Sequence, residues 1–259
     1  MSEMLSAMSP LHHQTAGRGP TVLLLHSGVT DLRQWDPQWE ALASHHRVVR
    51  YDRRGWGRSP LPTEPSAAYS DAEDVIGLLD ELGIEEAALV GSSAGGVIAQ
   101  QVASAWPGRV SRLVLLCADA DDVDPTPAAR AFAEREEALL EAGDVTGAVE
   151  LNVETFLGPE ASTATRTLVR EMQRTAFEVQ LAAGDDVPSE PGPPIDLTRA
   201  TMPAYVVSGA RDLDYFALVA DALAQRLPDA RRTVLPWAGH LPNLERPDEV
   251  TTLLLDALA

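Results

Sequence analysis

Lysine is absent from this 259-residue chain, and all 20 of its basic residues are arginine. That excludes Schiff-base chemistry on an enzyme lysine and the lysine of a phosphate-binding loop. Cysteine is reduced to Cys117, so no internal disulfide can form, and its setting in Leu-Val-Leu-Leu-Cys reads as a buried strand residue rather than a nucleophile. Basic charge is scarce as well. The 39 acidic residues leave a net charge of -19 and a pI near 4.6, which repels phosphate backbones and anionic lipid surfaces. Nucleic acid and membranes are therefore not expected partners; a small-molecule substrate is, on a monomer or homodimer. No apolar run approaches the ~18 residues of a membrane helix. Residues 1–10 lack a basic start followed by an apolar core, so no secretory signal is expected and the cytoplasm is the expected compartment.

What the chain does have is an ordinary 45% of hydrophobic residues, set out as short apolar runs alternating with helical spacing. Strands are expected over 11–15, 21–25, 47–51, 87–90, 113–118, 204–208 and 232–235. Helices are expected over 31–44, 68–82 (closed by Gly83), 94–106, 215–227 and 247–258. Strands separated by helices imply right-handed crossovers and a mostly parallel sheet with helices on both faces. Between Asp119 and Ala200 the alternation stops, and helices are expected instead over 127–142, 145–156 and 162–183, followed by a linker rich in proline and glycine. This stretch holds 18 acidic residues against 6 arginines, read as solvated helix faces. Residues 1–118 and 201–259 thus form one core, and 119–200 a helical insertion into it.

Residues 87–106 read as strand, sharp turn and helix, and within them Gly91, Ser93 and Gly95 fit GxSxG, the turn that presents a serine nucleophile at the tip of a strand. A serine hydroxyl needs a base, ordinarily a histidine held by a carboxylate. His240 is the only histidine after Ser93, and it follows the last strand. Asp212, four residues beyond Ser208, is the expected acid, with Asp214 and Asp119 as rivals. The backbone N–H of Ala94, at the start of its helix, and that of Gly28, after the 21–25 strand, are the expected oxyanion donors. The pairs His12-His13 and His45-His46 are adjacent residues whose side chains diverge, so neither a metal nor a cofactor is expected.

Together, Leu-Leu-Leu-His26-Ser27-Gly28, the run from Tyr51 to Ser59, Gly91 to Gly96, Gly209 to Asp212 and Gly239-His240 make the chain resemble a capped α/β-hydrolase over nearly all of its length outside the insertion. The resemblance implies an α/β-hydrolase fold with a helical cap, Ser93 as nucleophile, Asp212 as acid, His240 as base, and Gly28 and Ala94 as the oxyanion hole. His26-Ser27 departs from the His-Gly more common in the family. Serine at the elbow sets the chain apart from epoxide hydrolases and haloalkane dehalogenases, which carry aspartate there, and Trp35-Asp36-Pro37-Gln38 is similar to enol-lactonases and serine perhydrolases. The expected reaction is cleavage of a small carboxylic ester or lactone through an acyl-enzyme. Carbon–carbon bond hydrolysis, perhydrolysis and non-catalytic ligand binding are the alternatives on the same scaffold. Phe132, Phe156, Met172 and Phe177 of the insertion, and Trp237, are candidate pocket residues.

Overall fold

Successive residues of a strand point to opposite faces of a sheet, so a run that is apolar throughout must be covered on both. Thr21–Leu25 (β2) does this in the computed structural model, which describes residues 10–62, 68–184 and 189–259. Leu23 and Leu25 join one apolar cluster, and Val22 and Leu24 join another on the far face. The first cluster is covered by Asp71–Glu81 (α2), Ala94–Ala105 (α3) and Asp214–Arg226 (α7), through residues such as Leu79, Val102 and Leu223. The second is covered by Asp36–Ala43 (α1) and Pro247–Leu258 (α9), through Leu42, Val250 and Leu254.

The remaining strands are His13–Ala16 (β1), Arg47–Tyr51 (β3), Ala87–Ser92 (β4), Val110–Leu116 (β5), Ala204–Gly209 (β6) and Ala230–Leu235 (β7). They form one seven-stranded sheet in the order β1-β3-β2-β4-β5-β6-β7. All neighbours pair in parallel except β1, which runs antiparallel to β3 at the edge. After β2 the chain adds β3 on one side, then returns to place β4 on the other. That reversal opens a crevice outside the carboxyl ends of β2 and β4, where ligands bind in sheets of this kind.

Pro127–Glu141 (α4), Val145–Phe156 (α5) and Thr163–Ala183 (α6) lie between β5 and β6 as a helical insertion. Each has a side-chain N-cap, from Thr126, Asp144 and Ser162 in turn, which satisfies an N–H that a helix start leaves open. Among the described residues no helix is long and apolar enough to cross a membrane. The reading of residues 1–10 falls, apart from Pro10, outside the described residues.

Several expected elements shift. The first strand begins at His13 rather than Leu11, and the 31–44 helix is a 3-10 turn over Leu32–Trp35 followed by α1. The expected 113–118 strand starts three residues earlier and ends at Leu116, so Cys117 is buried but is not a strand residue. Its φ of 44° turns the chain away from the sheet. The loop after β7 gives way to a short helix, Pro242–Glu245 (α8), that its length of four residues hides from any periodicity.

Candidate active site

Ser93 stands between β4 and α3 with φ 52° and ψ -120°, a strained geometry for a residue with a side chain. Its neighbours show what the turn requires. A Cβ on Gly91 would lie 2.4 Å from the Gly95 carbonyl oxygen, and one on Gly95 would lie 2.5 Å from that of Leu25. The elbow is tied to the adjacent strand end, since Ser93 N–H donates to Leu116 O at 3.0 Å.

Asp212 and His240 come together although 28 residues part them in sequence. His240 Nδ1 and Asp212 Oδ2 are 2.7 Å apart, and both side chains are almost fully buried. The other Asp212 oxygen accepts Leu213 N–H at 2.8 Å. The two loops meet at backbone distance: a Cβ on Gly209 would fall 2.2 Å from the Gly239 carbonyl oxygen. With Nδ1 committed to Asp212, Nε2 is the nitrogen left for a hydroxyl. Among the described residues no hydrogen bond joins Ser93 Oγ to His240.

The rival carboxylates are occupied elsewhere. Asp214 accepts the hydroxyl of Thr126, the residue that caps α4, at 2.6 Å. Asp119 accepts from the Tyr215 hydroxyl and from Ala120 N–H, while its own N–H donates to Ser93 O at 3.3 Å.

The turn after β2 lies beside the elbow, since Leu25 pairs with Gly91. Ser27 N–H donates to Gln34 Oε1, Val29 N–H to Ser27 Oγ and Thr30 N–H to Ser27 O. Gly28 N–H is the one in this run with no acceptor among the described residues, and Ala94 N–H, at the open start of α3, likewise has none. A Cβ on Gly28 would sit 3.8 Å from that of Ala94. Trp56 Nε1 fixes the turn by donating to Gly28 O at 2.7 Å.

His26 holds the same turn from beneath. Its Nε2 accepts Arg53 N–H at 3.0 Å and its Nδ1 donates to Ser27 O at 2.7 Å, so both nitrogens are satisfied only in the neutral ring. Burial, and then the Arg53 charge, lowers its pKa from 6.5 to about 4. The unfolded chain therefore takes up a proton near pH 6.5 that the folded chain refuses until about pH 4. Stability from this group is complete above pH 6.5 and is expected to fall as the pH drops through that window. Urea midpoints measured across it should decline more steeply for the wild type than for His26→Asn; equal slopes would remove His26 as the cause.

Aromatic rings cover the imidazole. Phe216 of α7 lies 4.1 Å and Phe156 of α5 4.7 Å from the His240 ring centre, and Phe132 of α4 packs on Phe156 at 4.9 Å. Of the expected pocket residues, Phe156 thus touches the His240 ring and Phe132 touches Phe156, while Phe216 joins the imidazole unpredicted. Met172 packs with Leu241 and Leu244, while Phe177 packs with Ala148 and Val149. Trp237 belongs to the far-face cluster instead, its Nε1 donating to Glu249 and its ring under Arg246. A cleft of about 710 Å³ lined by Arg112, Tyr205, Arg231 and Asp256 opens near the amino ends of β5, β6 and β7, the end of a parallel sheet that does not carry chemistry.

Cys117 is the sequence's least expected neighbour. Its sulfur, an Asp212 oxygen and a His240 nitrogen lie within 4.8 Å of one another. The thiol donates to Gly239 O at 3.7 Å, and burial, then the Asp212 charge, pushes its pKa well up. The facing Asp212 and His240 atoms are joined to each other by their hydrogen bond, and the thiol's own donation goes to Gly239. His12 Nδ1 pairs with Asp52 at 2.9 Å.

This strand–elbow–helix geometry at a sheet reversal, with a helical insertion after β5, defines an α/β-hydrolase, and residues 22–253 match the alpha/beta hydrolase family: the chain belongs to it. Among its relatives are proteins provisionally assigned as carbamate hydrolase RutD, from Variovorax paradoxus at 34% identity and from Agrobacterium fabrum at 31%, each match covering 96% of both chains. The enol-lactonase of Burkholderia xenovorans superposes with a TM-score of 0.77 at 28% identity over 96% of both chains. A thermophilic esterase of Thermogutta terrifontis gives 0.76 at 25% over 96% of this chain and 92% of its own.

Proposed function

We propose that this protein is a serine hydrolase that cleaves a small, uncharged carboxylic ester or lactone through an acyl-enzyme. The observation that carries this reading is the buried 2.7 Å pair of Asp212 and His240, set at the same end of the sheet as the strained Ser93. In this reading His240 Nε2 takes the Ser93 proton as Oγ attacks the carbonyl carbon. Asp212 holds the imidazolium that results, and the free N–H groups of Gly28 and Ala94 receive the oxyanion. His240 then returns the proton to the leaving oxygen, and a water deprotonated by His240 releases the acid. Residues 119–200 act as a cap whose Phe132 and Phe156, with Phe216, give the bound group an apolar wall.

The relatives assigned as carbamate hydrolases support a second reading, since the same attack on a carbamate carbonyl needs the same groups. Labelling with a fluorophosphonate probe, followed by a panel of p-nitrophenyl esters, γ-lactones and carbamates, tests both. The probe should label Ser93, and neutral esters or lactones should exceed carbamates and carboxylate-bearing lactones in kcat/KM. Folded protein that leaves Ser93 unlabelled would overturn the serine mechanism; carbamates at the head of the panel would replace the substrate class.

A further inference from the structure

The loop that carries His240 is fastened by a side chain with no part in the chemistry above. Glu245 of α8 is 7% exposed, and its two oxygens accept Gly239 N–H at 3.0 and 3.1 Å. The backbone N–H groups of Gly158 and Leu241 lie near enough to this carboxylate to favour its charged form. Gly239 and Leu241 flank His240 in sequence, whereas Gly158 lies just past the end of α5, in the insertion. One carboxylate therefore holds the Gly239 N–H beside the imidazole and lies directly against Gly158 of the cap.

A second link runs beside it. His240 N–H donates to the Phe156 carbonyl at 2.8 Å, two residues before Gly158, and the Phe156 ring covers the imidazole. The segments approach so closely that a Cβ on Gly158 would fall 2.4 Å from Glu245 Oε2, and one on Gly239 would fall 2.5 Å from Gly158 N. Burial pushes the Glu245 carboxyl pKa up, and the three N–H groups oppose that. No arginine pairs with it among the described residues, so backbone dipoles take the place of the lost water.

We propose that Glu245 is a positioning residue that acts through His240, locking the histidine loop to the Phe156–Leu157–Gly158 corner of the cap so that the two move as one body. The assignment rests on the hydrolase reading, because the displaced group is the proposed base. Catalysis is sensitive to placements of this kind, as an error of about 1 Å costs up to about 100-fold.

Glu245→Gln keeps the shape but turns an amide N–H toward groups that are themselves donors. Gly158→Ala disturbs the same contact from the cap side and serves if the first variant folds poorly. For either one, kcat on a p-nitrophenyl ester should fall between about 10-fold and 100-fold with KM held within about threefold. Amide exchange at 156–158 and at 239–241 should rise together while β4 stays protected. A kcat within about twofold of wild type overturns the proposal, as does faster exchange spread over the whole chain, which would mark general destabilisation. If wild-type protein neither turns over esters nor labels at Ser93, the hydrolase reading fails on its own, and the exchange of the two segments still decides whether Glu245 joins them.

Discussion

Ser93→Ala will lower kcat for a short p-nitrophenyl ester by about 10⁴-fold to 10⁶-fold, leaving only the residual rate that binding and oxyanion stabilisation supply. The size follows from what is removed. No other side chain at this point can form the acyl-enzyme: the nearby thiol of Cys117 is sealed from solvent and held protonated. The fold should survive the change, and should even gain slightly, because alanine removes a hydroxyl with no protein partner among the described residues from a helix start while keeping the same backbone strain. Burst kinetics and fluorophosphonate labelling should vanish together. Retention of more than about a tenth of wild-type kcat would sink the assignment.

Asp212→Asn should cost nearly as much, about 10⁴-fold in kcat, with the geometry intact. The amide is the same size, and its oxygen can still accept Leu213 N–H, as Oδ1 does now. The other position then presents N–H to His240 Nδ1, which must turn acceptor, and the proton moves to Nε2, which can then no longer take the proton of the serine hydroxyl. Asp214→Asn and Asp119→Asn provide the comparison. Asp214 is spent on the cap residue Thr126 and Asp119 on Tyr215, so each should retain kcat to within a few-fold. A larger loss at Asp119 than at Asp212 would transfer the role to the rival carboxylate.

Much of the architecture is legible in the sequence. β2, β3, α5 and α9 fall on their expected residues because each is bounded by a strong local signal: a glycine-rich turn, an apolar run of fixed length, or a proline at a helix start. β5 was harder. Its apolar run continues through Cys117 and Ala118, so composition places no end at Leu116, and a cysteine gives no warning of a positive φ. The same blindness hid the thiol's place behind Asp212. Asp212 and Asp214 differ by two residues, and only the start of α7 at Asp214, with Thr126 across from it, separates their surroundings. Trp237 was misplaced because its nearness to His240 in sequence says nothing about which face of the sheet the ring joins. Glu245 carried no mark at all. It ends a helix of four, Pro-Asn-Leu-Glu, too short to show a periodicity, and it packs against Gly158, 87 positions earlier.

The buried sulfur of Cys117 also makes the molecule its own reporter. As the sole thiol, wedged under Gly239 and Asp212, it is out of reach of any thiol reagent until the end of β5 and the histidine loop part. When that opening is slow beside modification, the rate of colour release from such a reagent is the rate at which this corner breathes, independent of substrate; when it is fast, the same trace gives the free energy of opening. A chain that carries a single cysteine thus needs no engineered label to time the opening of the floor beneath its histidine.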